Sequence, residues 1–322
     1  MGDAAGKRVV VTDHTFKSVT AEAKVARDHG ASFACFSCSG EAETAEAVNG
    51  ATVAFVNFAP MTRSVLARMR PGSTVIRYGI GYDNVDVASA TELGIRVANV
   101  PDYGVDTVAD HAVAGLLALV RRLPDYDRRI RGEGWVRPAE VGPVRGLRST
   151  VVGLVGLGRI AQAVHARLVP FGCTFVGHDP HAPQEDFDRL GVERVALPQL
   201  ARRAHAVSLH APSTPETRRM VDAGFLAALP TGAVLVNTSR GSLVDEAALA
   251  EAVARGHLAG AALDVFESEP LAADSPLRVQ PAILLSPHAA FYDEDSLARL
   301  QQLASEEAGR ALRGEELRCS VA

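Results

Sequence analysis

Residues 150–168 read TVVGLVGLGRIAQAVHARL, an apolar run followed by a glycine turn and an amphipathic stretch. Gly156-Leu157-Gly158-Arg159-Ile160-Ala161 is a G-x-G-x-x-A turn between a predicted strand and a predicted helix. Gly156 permits the tight turn, and Gly158 lets the backbone approach a pyrophosphate. The unpaired N–H groups and positive dipole end of the helix would hold that anion. Ala161 replaces the glycine that serves close helix–strand packing, so the two glycines that serve the phosphates are intact. The next predicted strand, CTFVGHDP, ends in Asp179, 21 residues beyond Gly158 and placed for a carboxylate on the adenosine ribose hydroxyls. A carboxylate there repels a 2′-phosphate and favours NAD(H) over NADP(H), a preference that the flanking His178 and His181 can soften.

On both sides of this stretch, short β-branched runs alternate with helical segments. Upstream, RVVVTD, SFACFS, ATVAFVN, STVIRYG and IRVANVP read as strands of one βα series over about residues 7–98. Downstream, VVGLVG, TFVGHD, AVSLHA, GAVLVNTS, GAALDV and AILLSPH form a second series over 150–288, and a charged helix ends the chain. Between the two series, residues 105–131 read as one long helix, with Asp106 or Thr107 as cap and Pro124 as the residue that kinks it or ends it early. Strands separated by helices imply parallel sheets with right-handed crossovers. The fold class is therefore α/β with two doubly wound parallel-sheet domains, and 322 residues suit two cores better than one.

With 47% apolar and 22% charged residues and a net charge of −5, the chain shows no basic footprint for nucleic acid or anionic membrane. The first residues lack the apolar core of a signal peptide, and AVAGLLALV at 112–120 is too short to span a bilayer. A cytoplasmic location is the expectation. Cys35 and Cys38 form a C-x-x-C without a second ligand pair, so they are read as packing residues and no metal site is expected.

Arg240, Glu269 and His288 each follow a predicted strand of the second series, where ligands of open parallel sheets bind. An arginine can grip a substrate carboxylate bidentately, and a histidine can give a proton to a carbonyl oxygen as hydride arrives. A glutamate bonded to that histidine fixes its tautomer and raises its proton affinity. Taken singly, each has a plainer reading: a strand-end cap, a solvated loop residue, a satisfied histidine.

NTSRGSLVDEAAL (237–249), GAALDVFESEP (260–270) and SPHAAF (286–291), with VVGLVGLGRIAQAV, resemble the signature blocks of the D-isomer-specific 2-hydroxyacid dehydrogenases. The resemblance implies that His288 is the acid/base, Glu269 its partner and Arg240 the substrate clamp. VIRYGIGYDNVD (75–86) resembles the family's substrate-carboxylate loop, which places Arg77, Tyr78, Gly79 and Ile80 at the substrate. Arg77 stands where members resembling C-terminal-binding proteins carry a second arginine. Phe291 replaces the tryptophan of those relatives, which implies a differently shaped pocket. Thr107, Arg159, Ile160, Pro212, Thr217, Thr238, Asp264 and Ala290 are implied as cofactor neighbours. His111 is read as a packing or interface residue, and His210 is assigned no chemistry.

These readings combine into an NAD-dependent dehydrogenase acting on a small anionic 2-oxo or 2-hydroxy acid. A Rossmann domain at 99–289 is inserted in a flavodoxin-like substrate domain of 1–98 and 290–322. Hinges are expected near Val97–Pro101 and Ala289–Phe291, with closure carrying the Arg77–Gly81 loop against Arg240 and His288. Resemblance also suggests a homodimer built around the long helix. Two alternatives stay open: oxidation of another small anion, such as phosphite or a phosphonate-bearing acid, and an NAD(H)-sensing corepressor-like binding protein.

Overall fold

A computed structural model describes residues 6–321. The chain divides into two units, Met1–Gly104 with Tyr292–Ala322, and Val105–Phe291. Local bonds show why the first unit extends beyond its last strand. Asn99 donates through Nδ2 to the Ile80 carbonyl (2.7 Å), and the Val100 N–H donates to that of Gly79 (3.0 Å). At the other boundary, the N–H groups of Ala289 and Ala290 donate to Asp264, which keeps them in the second unit.

The first unit holds β1 (Arg8–Val11), β2 (Ser32–Cys35), β3 (Val53–Val56), β4 (Thr74–Arg77) and β5 (Arg96–Ala98). All pair in parallel in the order β2-β1-β3-β4-β5, the flavodoxin-like winding. β3 is buried along its whole length, as a Val-Ala-Phe-Val run between helical layers should be. The helices are α1 (Thr20–Asp28), α2 (Glu41–Ala47), α3 (Arg63–Leu66), α4 (Val87–Glu92) and, from the far end of the chain, Glu294–Arg313. Cys35 is exposed at the end of β2 and Cys38 lies buried in the loop after it.

The second unit holds β6 (Val151–Val155), β7 (Thr174–His178), β8 (Glu193–Arg194), β9 (Ala206–Leu209), β10 (Ala233–Asn237), β11 (Leu258–Leu263) and β12 (Ile283–Leu285). The seven strands are parallel in the order β12-β11-β10-β9-β6-β7-β8. This is the doubly wound dinucleotide-binding order with one strand added, and its switch point lies between β6 and β9. β8 is an addition to the six expected strands.

The expected long helix is two. α5 (Val105–Val120) and α6 (Leu123–Glu133) are separated at Arg122, which sits in the left-handed region (φ 55°). The break precedes Pro124 because proline opens the next helix, where its missing N–H costs nothing. Asp106 and Thr107 lie inside the first turn of α5 and are not its cap. The remaining helices of this unit are α7 (Arg159–Leu168), α8 (Gln184–Leu190), α9 (Leu197–Arg203), α10 (Ala223–Ala228) and α11 (Glu246–Ala254), with α12 (Glu294–Arg313) completing the first unit. Among the described residues, no helix is long and apolar enough to cross a membrane.

Candidate active site

β10, β11 and β12 are adjacent strands, and the loops after their carboxyl ends carry Arg240, Glu269 and His288. The structure joins two of these side chains directly: His288 Nδ1 lies 2.7 Å from Glu269 Oε2. The other oxygen, Glu269 Oε1, accepts from the Phe266 N–H (3.0 Å), so the carboxylate is held at both ends. Burial raises the Glu269 pKa, but the bonds from His288 and Phe266 and the charges of His288 and Arg240 outweigh it, leaving a net value below the ordinary one. Arg240 completes the group in a half-buried position, its Nη1 donating to the Ser239 carbonyl (2.7 Å).

His288 has a positive φ of 51°, a conformation that a non-glycine residue keeps only when its surroundings impose it. Asp264 imposes it. Its carboxylate, 1% exposed, accepts from the N–H groups of Ala289 and Ala290 at 2.8 Å each and from Ser286 Oγ at 2.5 Å. Its carbonyl accepts the His288 N–H at 2.7 Å. Ser286 Oγ is also 3.0 Å from His111 Nε2 on α5. Because the Ser286 hydroxyl proton points at Asp264, His111 Nε2 is the donor in that pair. Asp264 and Ala290, expected as cofactor neighbours, thus engage each other, and any cofactor contact would be additional. His111, expected to pack or to face a partner, braces the loop that carries His288.

Gly241 links the Arg240 loop to the Glu269 loop by close approach. A Cβ there would overlap the carbonyl of Phe266 and the nitrogen of Glu267. The motif S-R-G-S draws attention to its arginine; the glycine's role appears only when β10 and β11 lie side by side. Phe291 closes the unit with its ring edge-on to His288, centroids 6.2 Å apart.

The glycine turn sits at the switch point. Gly156 has φ 87°, and a Cβ would come within 2.8 Å of the His210 carbonyl at the end of β9. At Gly158, by contrast, an added Cβ would meet nothing within 4 Å. Arg159 opens α7 and is exposed, and Ile160 packs partly against the core. Asp179 follows β7 and accepts from the N–H groups of Leu157 (2.8 Å), His181 (2.8 Å) and Ala182 (3.1 Å). Burial opposes its ionisation, these three bonds outweigh it, and the net pKa is lowered. His178 Nδ1 is turned to the Val195 carbonyl, while Arg194 on the unexpected β8 donates to the carbonyls of Asp179 and Pro180.

Thr107 lies half-buried on α5. The Pro212–Thr217 loop ties itself together, Thr217 Oγ1 donating to the Pro212 carbonyl (2.7 Å) and accepting from the Thr214 N–H (2.8 Å). Thr238 Oγ1, beyond β10, is buried with no hydrogen-bond partner among the described residues. An open glycine turn on a helix N-terminus, a strand-end carboxylate and an orphaned hydroxyl fit a dinucleotide. Among the described residues, no three His, Cys, Asp or Glu side chains are grouped to hold a metal.

Residues 113–290 match the sequence model of the D-isomer specific 2-hydroxyacid dehydrogenase, NAD binding domain. The chain belongs to the D-isomer-specific 2-hydroxyacid dehydrogenase family. A D-3-phosphoglycerate dehydrogenase of Mycobacterium tuberculosis is 40% identical to this dehydrogenase-family chain over 251 residues, 78% of this chain and 47% of the relative. The chain thus spans about half the length of such curated relatives. A glyoxylate reductase of Korarchaeum cryptofilum is 40% identical over 244 residues, 75% of this chain and 73% of that one. The crystal structure of a Thermus thermophilus protein superposes with a TM-score of 0.86 at 34% identity, covering 98% of this family member and all of that chain.

Within the first unit, the expected substrate loop follows β4. Arg77 ends the strand half-buried, and Gly79 (φ 129°) lies beneath its guanidinium, where a Cβ would strike Arg77 Nη1. Ile80 is half-buried and holds Asn99 through its carbonyl. Tyr78 requires a correction. Its ring is 2% exposed, stacked on Phe55 and edge-on to Phe16, and its hydroxyl donates to the buried Glu22 (2.8 Å). Its N–H is bonded to Val56. Tyr78 is therefore a core residue, and its ring does not shape a substrate pocket.

Proposed function

We propose that this chain is an NAD(H)-dependent oxidoreductase that interconverts a 2-oxo acid and a D-2-hydroxy acid. The bond between His288 and Glu269, with Arg240 beside it, carries this reading. NAD(H), bound along Gly156, Gly158 and Asp179, would supply the hydride chemistry. Thr107, Arg159, Ile160, Pro212, Thr217, Thr238, Asp264 and Ala290 would line that cofactor. His288 gives its second ring nitrogen, Nε2, to the substrate oxygen, donating a proton in reduction and accepting one in oxidation. Glu269 holds the ring by Nδ1. Arg240 grips the substrate carboxylate and polarises the adjacent carbonyl.

Arg77, Gly79 and Ile80 are assigned to the substrate carboxylate, Phe291 to pocket shape, and the first unit to substrate binding. The relatives' names point to glyoxylate and to phosphate-bearing acids as the first compounds to test. A homodimer built on α5 and α6 accords with the exposed Leu123, Ile130 and Trp135 on and after α6. Four free cysteines accord with a reducing cytoplasm. The test is NADH oxidation across 2-oxo acids of graded size and charge, in the wild type and in His288→Ala. The variant is expected to lose about 10²–10⁴ in turnover while NADH binding stays nearly intact. Unchanged turnover refutes the assignment.

A further inference from the structure

α5 docks along β11 by one face, with contacts that recur every four residues. A Cβ on Gly260 of β11 would come within 3.0 Å of Leu119 Cδ2 on α5. One turn toward the helix N-terminus, a Cβ on Gly115 would come within 2.9 Å of the Ala262 methyl. One turn further, His111 reaches past the strand end, its Nε2 3.0 Å from Ser286 Oγ and 3.8 Å from Asp264 Oδ1. Residues four apart share a helix face, so these two close approaches set the register at which His111 meets the loop after β12.

From His111 the bonds run in one direction. Its Nε2–H donates to Ser286 Oγ, and the Ser286 hydroxyl donates to Asp264 Oδ1 at 2.5 Å. Asp264 in turn accepts from the N–H groups of Ala289 and Ala290, and its carbonyl and that of Ser286 both accept the His288 N–H. A serine hydroxyl rotates to suit its partners. A donor on its lone pair leaves the proton directed at the carboxylate, and His111 is that donor. Packing alone does not ask for a histidine here, because the side chain is 38% exposed.

We propose that His111 is a positioning residue for His288: through Ser286 it keeps Asp264 fully bonded, and so holds the segment in which His288 has its positive φ. This rests on the assignment of His288 as the group that exchanges a proton with substrate. His111→Leu removes the donor and keeps an apolar side chain on α5. His111→Gln keeps an amide N–H at similar reach, and Ser286→Ala removes the relay.

Two readouts test this in the full chain: amide hydrogen exchange of the 286–291 segment by mass spectrometry, and kcat and KM for 2-oxo acid reduction. His111→Leu and Ser286→Ala raise exchange there about fivefold, the effect of one lost hydrogen bond. Both lower kcat about tenfold with KM within about twofold, because Arg240, which grips the substrate, stands on another loop. His111→Gln returns exchange and kcat to within about twofold of the wild type. The double variant His111→Leu/Ser286→Ala is no worse than Ser286→Ala, since one residue acts through the other. Wild-type exchange or wild-type kcat in His111→Leu, a Gln variant as impaired as the Leu variant, or a double variant whose losses multiply overturns the proposal. Should the wild type reduce no 2-oxo acid while His111→Leu still loosens the segment, the reaction assignment falls and the bracing stands.

Discussion

Replacing Asp264 by alanine should cost more than any surface substitution near the site. The carboxylate is buried at 1% exposure and accepts two backbone N–H groups, from Ala289 and Ala290, and the Ser286 hydroxyl. Alanine strands both N–H groups, at about 1–3 kcal/mol each; the hydroxyl can rotate toward another acceptor. The sum is roughly 2–6 kcal/mol, against a total stability on the order of 5–15 kcal/mol. Asparagine keeps one acceptor oxygen, so Asp264→Asn should lose about half as much. Urea unfolding followed by circular dichroism measures the loss, which should fall on the transition of the Val105–Phe291 unit. Turnover should fall further than stability alone explains, because the relaxed 288–290 segment no longer holds His288 at φ 51°. If Asp264→Ala unfolds within about 0.5 kcal/mol of the wild type and keeps its turnover, the role given to this carboxylate is wrong.

Two further outcomes follow from the same geometry. Gly241→Ala should push the Phe266–Glu267 peptide away and cut kcat about tenfold or more, with NADH affinity changed far less; a wild-type kcat would dismiss the tight contact. Burial lowers the His210 pKa to about 4, and its Nε2 is sealed from solvent. Histidine in the unfolded chain titrates near 6.5, so stability is whole above about pH 6.5 and declines as pH falls toward 4. The loss reaches roughly 3 kcal/mol at most. His210→Gln should flatten that decline between urea midpoints measured at about pH 7.5 and 4.5, and an equally steep variant would contradict the burial argument.

The strands were legible because their β-branched runs satisfy two buried faces, and the glycine turn because its geometry admits few other residues. β8 escaped notice: Glu193 and Arg194 are charged and exposed, so nothing apolar marks an edge strand of that length. The break at Arg122 was expected at Pro124 because proline is the visible breaker, whereas the left-handed residue is an arginine. Tyr78 was misjudged because the acceptor of its hydroxyl, Glu22, lies 56 positions away in sequence. His111 and Ser286 are 175 positions apart and unremarkable alone, and only α5 lying against the sheet joins them. The placement of Arg240, Glu269 and His288 after three strand ends was readable from the strand pattern; what holds them in place is long-range and was not.

Helix α12 has a consequence for how the molecule is made. Gln301 of α12 reaches Ser18 and Glu22, and Lys7 binds the carbonyl of Leu312, so the β1–β5 sheet lacks one covering layer until the chain has been made through residue 313. The unit from Val105 to Phe291 is contiguous and can close while its predecessor waits. Of the two units, the one whose strands are made earlier is therefore the one whose chain is completed later.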